Sequence, residues 1–520
     1  MNESLHWIDY TVVGCYLTVI VCMGLYFSRK QTSTDEYFAG GRAIPAWAIG
    51  LSLLATLISS VTFLAYPGEG FNGNWIRLVQ GLAVPLVLIC IVWFIVPIYR
   101  HVIGLSAYEY FEKRFGYFAR LYSSLAFIMA HFTKMGTVFY LLAMALASIT
   151  GMNTYHMILG LGALTILYTL LGGIEAVIWS DVIQGVILVG GGLICVAVLL
   201  LGPTQSPGEV LQYAWDNNKM SVGPFGCDFT RLTFIVMALN GVFYAITKYG
   251  TDQTIVQRFL VAKSDKGAIR AALMGTFLCV PVWTLFIFIG TLLWAYYQLG
   301  TAQLPEGIAG DKVFPHFIMT QLPPGITGLI LAALISAAMS SLDSDLNCLA
   351  AVGVEDFYKR FKPQATDKQS LVLGRVIVVI SGLCAIGVAS LYVHFGGQAV
   401  LGTVFALYAI FSGGIAGIFF LAFFTTRANR KGVYVGIATC MLFTAYALLT
   451  SAKFDLGGPE KRLILDFGKY NFTHHKYMLG VYSHLVLFFV GYVASCCFKQ
   501  DKDIRDLTLY GWLANKKIKK

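Results

Sequence analysis

The stretch Ala55-Thr56-Leu57-Ile58-Ser59-Ser60-Val61-Thr62 puts four hydroxyls into eight residues, in the middle of an apolar run from Pro45 to Phe71. The run is long enough to cross a bilayer core of ~30 Å as a helix, which takes about 20 residues. Lipid offers no partner to backbone N–H and C=O groups, so a crossing segment must be helical unless its irregular backbone lines a polar interior. The hydroxyls, with Pro67-Gly68 after them, therefore predict a span whose middle is unwound. Unwound carbonyls can ligate a cation, as the discontinuous helices of transporters do. A kinked but purely structural helix is the plainer alternative.

Working outward, runs of the same kind recur along the whole chain. Of 520 residues, 57% are hydrophobic and only 12% charged. A soluble protein carries about 25% charged residues, so too little charge remains to cover a water-facing surface. An all-α membrane protein with about 13 transmembrane helices is predicted, at 9–27, 45–71, 75–99, 118–149, 154–172, 176–201, 230–259, 268–298, 325–354, 371–394, 399–424, 431–451 and 477–498. The net charge of +10 would suggest nucleic acid in a soluble chain. Here the basic residues sit at helix ends, which points to membrane topology and no nucleic-acid partner. One face collects Arg29, Lys30, Arg42, Arg100, Lys113, Arg114, Arg120, Arg258, Lys263, Lys266, Arg270, Lys359, Arg360, Lys362, Lys368, Arg375, Arg427, Arg430, Lys431 and the tail from Lys499. The rule for basic loops puts that face in the cytoplasm, with the N-terminus outside and the C-terminus inside the plasma (inner) membrane. Met1 to Asp9 has no Lys or Arg, so the first helix reads as retained and not as a signal peptide. Most of the eleven cysteines lie within apolar runs, and no disulfide framework or metal-binding spacing follows. Asn471-Phe472-Thr473 fits a glycosylation acceptor on the outer side.

Polar residues inside the membrane are functional candidates. In Ser336-Ala337-Ala338-Met339-Ser340-Ser341-Leu342-Asp343-Ser344-Asp345, Ser340, Asp343 and Ser344 share one helix face. Hydroxyls with a carboxylate suit a hard cation, which takes oxygen ligands. Small-residue helix packing is the alternative, although packing does not call for the carboxylates of Asp343 and Asp345. Asp181 follows Gly172-Gly173 at the start of another span and reads equally well as an interfacial acid. Three cations fall within spans: Arg77, Lys134 and Lys248. Lys134 lies near mid-depth, where snorkelling explains it poorly. They are expected to pair with Asp181, Asp252 or Asp343, or to receive an anionic substrate.

Five stretches in order on this frame resemble the sodium/solute symporter family along nearly the full length: Tyr37 to Gly41, Ser106 to Phe115, Gly172 to Gly185, Gln253 to Arg258 and Ser340 to Asn347. The Ser-Ala-Tyr-Glu-Tyr stretch at 106–110 is most similar to the branch of bacterial sialic acid symporters and animal iodide, multivitamin and monocarboxylate carriers. The resemblance implies a LeuT-type 5+5 inverted repeat. Residues 1–30 would be an extra N-terminal helix, 44–201 and 230–424 the two repeats, 431–498 C-terminal helices and 499–520 a cytoplasmic tail. It also implies a main sodium site at the carbonyls of Ala55, Ile58 and Ala337 and the hydroxyls of Ser340 and Ser341. A possible second sodium site would use Asp181, Asp343 and Ser344. There Asp343 stands where the sialic acid branch has a hydroxyl, which strengthens the site, turns it into a proton site, or leaves a salt bridge in place of the ion.

The same resemblance points to Ser59, Thr62, Gln80 and Lys134 as solute contacts, with Ser60 in the same hydroxyl cluster and Arg77 and Lys248 as further cations. Lys134 replaces an Arg, keeping the charge but losing the bidentate fork. The hexose branch has hydrogen-bonding side chains where this chain carries Leu57, Thr62 and Phe405, and two of the three lose that ability. The expected activity, not an enzymatic one, is sodium-coupled import of an anionic solute by alternating access: a sialic acid, another sugar acid or a monocarboxylate. A neutral sugar or polyol (glucose, galactose, inositol) is the alternative, and a proton-coupled symporter or membrane sensor the rival from other classes. The partners would be sodium, one small solute and the bilayer, with the chain working as a monomer. No filter motif suggests a channel, and no phosphate-binding Gly-x-x-x-x-Gly-Lys loop suggests an ATP-driven pump.

Overall fold

The apolar runs become helices wherever the backbone must satisfy itself. The computed structural model describes residues 5–395, 413–451, 453–454, 462–499 and 505–518. Among these, nine helices are long and apolar enough to cross a membrane, or ten when one bent pair counts as a span. The only strands among the described residues are Lys453–Phe454 and Arg462–Leu463, paired antiparallel.

Helix α1 (Trp7–Ser28) opens on a capping box between His6 and Asp9. Asp9 is buried and also accepts hydrogen bonds from the amides of Gly325 and Gly328, each at 2.7 Å. One carboxylate thus serves the positive ends of two helices.

The predicted broken span is α2 (Ala46–Leu57) and α3 (Ser60–Asn72), which meet at 57°. Ile58 and Ser59 between them are extended. The break lies inside the hydroxyl stretch and not at Pro67-Gly68, which belongs to α3. The glycines there serve packing instead. A Cβ on Gly70 would lie 2.2 Å from the Ile287 carbonyl oxygen, and one on Gly290 2.1 Å from that of Pro67. The backbones of α3 and α9 (Asp265–Gln298) therefore touch directly. Gly275 of α9 meets α2 in the same way, its Cβ position 2.7 Å from the Gly50 oxygen.

After α4 (Leu78–Val102) and α5 (Tyr117–Thr150) comes α6 (Thr154–Leu201), 48 residues long. At 1.5 Å per residue that is ~72 Å, about twice the hydrocarbon core. It is bent at Gly173, whose φ of +56° no other residue type adopts readily. The gap predicted between 172 and 176 falls on this bend. The span expected at 230–259 is interrupted: α7 (Phe234–Thr251) stops at Asp252, which caps α8 (Gln253–Leu260) through the Thr254 amide at 2.8 Å.

Helix α10 (Ile326–Val352) is the centre of the molecule. All its residues but Ile326 and Leu329 are buried, and it packs on α1, α2, α5, α6 and α11 (Asp367–His394). A helix covered on every side can hold polar residues only if they find partners, which makes its serines and aspartates informative. The span expected at 399–424 is described only in its last part, α12 (Ile415–Phe424). Helices α13 (Arg430–Ser451) and α14 (Lys476–Cys497) close the chain and pack on each other. Asn471, the glycosylation candidate, has its amide nitrogen engaged with Asp466 at 2.7 Å.

Candidate functional site

Two clusters of oxygen atoms sit about one turn apart on α10, and a cavity lies beside them. The first cluster forms where α2 ends. Ser340 Oγ donates to the Ala55 carbonyl at 3.0 Å and approaches that of Ala337 at 3.4 Å. Ser341 Oγ donates to the Thr56 carbonyl at 3.2 Å. In a continuous helix Ala55 and Thr56 would accept from residues 59 and 60. The extended backbone at Ile58 and Ser59 frees those carbonyls, and the serines of α10 take them up. Ile58 is the buried residue at which α2 stops. Hydroxyl and carbonyl oxygens alone, with no carboxylate, make a donor set suited to a hard monovalent cation.

The second cluster brings its own cation. Asp181 and Arg258, both fully buried, form an ion pair at 2.9 Å. The guanidinium also donates to Ser344 Oγ at 2.6 Å, Ser52 Oγ at 2.8 Å and the Thr254 carbonyl at 2.7 Å. Ser52 donates to Asp181 Oδ2 at 2.5 Å, and Thr56 Oγ1 lies 3.1 Å from Ser344 Oγ. Asp343 accepts from the Tyr168 hydroxyl at 2.6 Å through one carboxylate oxygen and lies 3.4 Å from Ser344 Oγ through the other. The second set holds a salt bridge, but it joins Asp181 to Arg258; Asp343, for which a salt bridge is one of the three readings open from sequence, has no ion pair among the described residues. The partner of Asp181 is Arg258, at the end of the Gln253–Arg258 stretch, and none of the three cations first considered.

The cavity, of about 470 Å³, adjoins the helix break. Ser59, Thr62, Arg77, Gln80, Lys134 and Lys248 all line it, as does Leu57. Ser60 does not: its hydroxyl is buried and turned to the Val138 carbonyl at 3.3 Å. The reason is register, since the first residue of α3 points across to α5 while Ser59 opens to the cavity. Phe405 lies outside the described residues. Tyr66, His131, Asp252 and Trp283 complete much of the wall. Each internal cation has a carboxylate partner: Arg77 with Glu69 at 3.0 Å, Lys134 with Asp345 at 3.0 Å, and Lys248 with Asp252 at 2.5 Å. Arg77 also donates to the Tyr477 hydroxyl at 2.5 Å. Sequence reasoning missed His131 and placed Arg258 on the cytoplasmic face, whereas it is fully buried; Asp252 was expected as a partner of the internal cations and pairs with Lys248. His131 lies one turn from Lys134, as Asp252 does from Lys248, so helical spacing could have found it.

Comparison with known proteins fits this layout. The model of the sodium:solute symporter family matches residues 37–439. This chain belongs to the sodium:solute symporter family. Curated relatives include the sodium/sialic acid symporter NanT of Aliivibrio fischeri, 31% identical over 96% of this chain and 95% of that one. The sodium/sialic acid symporter SiaT of Proteus mirabilis is 31% identical over 88% and 97%. The sodium/glucose cotransporter of Vibrio parahaemolyticus is 29% identical over 86% of both. Among solved structures, a substrate-bound, outward-open Na⁺-coupled sialic acid symporter matches with a TM-score of 0.87 at 29% identity, covering 96% of this chain and all of that one. A nucleobase-cation-symport-1 transporter in a closed conformation matches in fold at a TM-score of 0.58 and 17% identity, over 88% of this chain and 93% of that one. The family member described here is a sodium-coupled membrane symporter with the LeuT-like helical fold, and sodium is its coupling ion.

Proposed function

We propose that this symporter imports a carboxylate-bearing sugar, of the sialic acid class, together with one sodium ion. The observation that carries the reading is the ring of Arg77, Lys134 and Lys248 around a cavity that opens on the broken helix. Only Asp252 among the carboxylates lines that cavity with them, whereas Glu69 and Asp345, which pair with Arg77 and Lys134, are not among its lining residues. Sodium would sit at the carbonyls of Ala55, Ile58 and Ala337 and the hydroxyls of Ser340 and Ser341, holding α2 against α10. The solute's carboxylate would meet Lys134, while Ser59, Thr62 and Gln80 would take its hydroxyl groups. Both relatives named as sodium/sialic acid symporters support this substrate class. A single sodium follows from Arg258, whose guanidinium already bonds Asp181 and Ser344.

The finer membrane layout belongs to the same proposal. Dividing α6 at Gly173, and adding the broken pair and α7 to the long helices, gives twelve spans among the described residues, and the thirteenth expected span, 399–424, lies largely outside them. The N-terminus is then outside and the C-terminus in the cytoplasm of an inner-membrane protein working as a monomer. The repeats would be 44–201 and 230–424.

A neutral sugar is the second reading, favoured by the carboxylate partner of each internal cation. Uptake by proteoliposomes separates the two. Lys134→Met abolishes sialic acid uptake at unchanged protein level on the anionic reading; unaltered uptake kinetics overturn it. Replacing sodium by choline at fixed pH, and the S340A/S341A double substitution, each bring accumulation to background. Accumulation that persists in the double variant and still depends on sodium removes the proposed ion site.

A further inference from the structure

We infer that His131 is a proton-binding site linked to occupancy of the solute cavity, so that a proton and the anionic solute bind together. The linkage to solute rests on the anionic reading above; the proton site itself stands on geometry. His131 lies between two carboxylates, its Nδ1 2.8 Å from Asp345 Oδ1 and its Nε2 3.5 Å from Asp252 Oδ2. A neutral imidazole carries one N–H. In either neutral tautomer one nitrogen lone pair therefore faces a carboxylate oxygen, whereas the imidazolium donates to both. The ring is 4% exposed and lies against Phe127 with centroids 4.0 Å apart, a contact that favours a cation over the aromatic face.

The surrounding charges decide what the proton changes. Facing the ring are Asp345 from α10 and Asp252 between α7 and α8, and behind these carboxylates stand Lys134 from its own helix and Lys248 from α7. Tyr108, uncharged, backs Phe127. Among the described residues, the only ion pairs of His131 are to the two aspartates. Two lysines balance two aspartates, so the cluster is neutral with a neutral ring and carries one positive charge with an imidazolium. The same two oxygens, Asp345 Oδ1 and Asp252 Oδ2, each accept from a lysine and also face a ring nitrogen of His131. Once the imidazolium holds both aspartates, Lys134 and Lys248 can turn to an incoming carboxylate without leaving a buried charge unpaired. Binding linkage is reciprocal: the proton tightens the anion, and affinity falls as pH rises.

The test uses the full chain in nanodiscs at fixed sodium, with sialic acid as the probe, titrated calorimetrically between about pH 5.5 and 8.5, where histidine changes charge. Affinity rises as pH falls, with a limiting slope of about tenfold per pH unit for one linked proton. In H131Q, which keeps a donor but no titrating group, the slope disappears. A wild-type affinity flat across the range, or an unchanged slope in H131Q, overturns the linkage. If sialic acid binds at no pH, the anionic reading has failed, and ¹⁵N spectra of histidine-labelled protein, assigned against H131Q, decide the proton site alone. Two protonated ring nitrogens on His131 at the acid end support it; a single one throughout overturns it.

Discussion

The two oxygen clusters on α10 lie within a turn of each other and solve the same problem in opposite ways. Around Ser340 and Ser341 the partners are carbonyls released by the end of α2. These are uncharged acceptors that a hydroxyl satisfies now and an ion can borrow. Around Ser344 the partners are a buried carboxylate and a buried guanidinium. Charge buried in low dielectric must be compensated at all times, so the second cluster cannot be emptied and refilled at small expense. A site meant for a travelling ion is better built from dipoles, and one meant to hold helices together can afford full charges. Arg258 bonds residues of α2, α6 and α10 at once, which fits the second task.

Breaking the permanent pair has the largest expected effect. Arg258→Met leaves Asp181 buried and unpaired, which destabilises a protein by about 3–5 kcal/mol. The melting temperature of the purified variant falls accordingly, and adding Asp181→Asn recovers part of it. A melting temperature equal to the parent's would mean that the pair is not a clamp. The borrowed site is probed more gently by Ser340→Ala alone. Losing one oxygen on a charged ligand is worth about 1.5–3 kcal/mol, so half-maximal uptake needs roughly ten- to a hundredfold more sodium while thermal stability stays close to the parent's. The smallest change sharpens the contrast. Asp343→Ser restores the hydroxyl of the sialic acid branch but leaves Arg258 in place. The sodium Hill coefficient therefore stays near one, and a rise toward two would show that Asp343, and not the guanidinium, keeps a second ion out.

How much of this was legible beforehand divides along the same line. Local features read well. Hydroxyls crowded into an apolar run located the helix break, and Gly172-Gly173 located the bend of α6, because both are written in consecutive residues. The resemblance put Ser340, Ser341 and Ala55 together; Ser340 meets the Ala55 carbonyl, whereas Ser341 meets that of Thr56. What failed was pairing across the bundle. Asp181 and Arg258 are 77 positions apart, and Lys134 and Asp345 are 211 apart, so no helical period links them. Pro67-Gly68 was misread because a Pro-Gly pair signals either an unwound turn or a close helix contact, and only the neighbours decide: the Pro67 carbonyl meets Gly290 of α9, and Gly68 meets the backbone of Gly310 and Asp311. Ser60 was misplaced by one residue, the difference between facing α5 and facing the cavity.

The glycine contacts along α9 have a mechanical consequence. Gly275 meets α2 and Gly290 meets α3 through backbone-to-backbone approach too close for any side chain. Both halves of the interrupted span are thus riveted to one uninterrupted beam. The kink at Ile58 and Ser59 supplies carbonyls without serving as an elbow. Any rocking that exposes the cavity first to one side of the membrane and then to the other must carry α2, α3 and α9 along as a single plank.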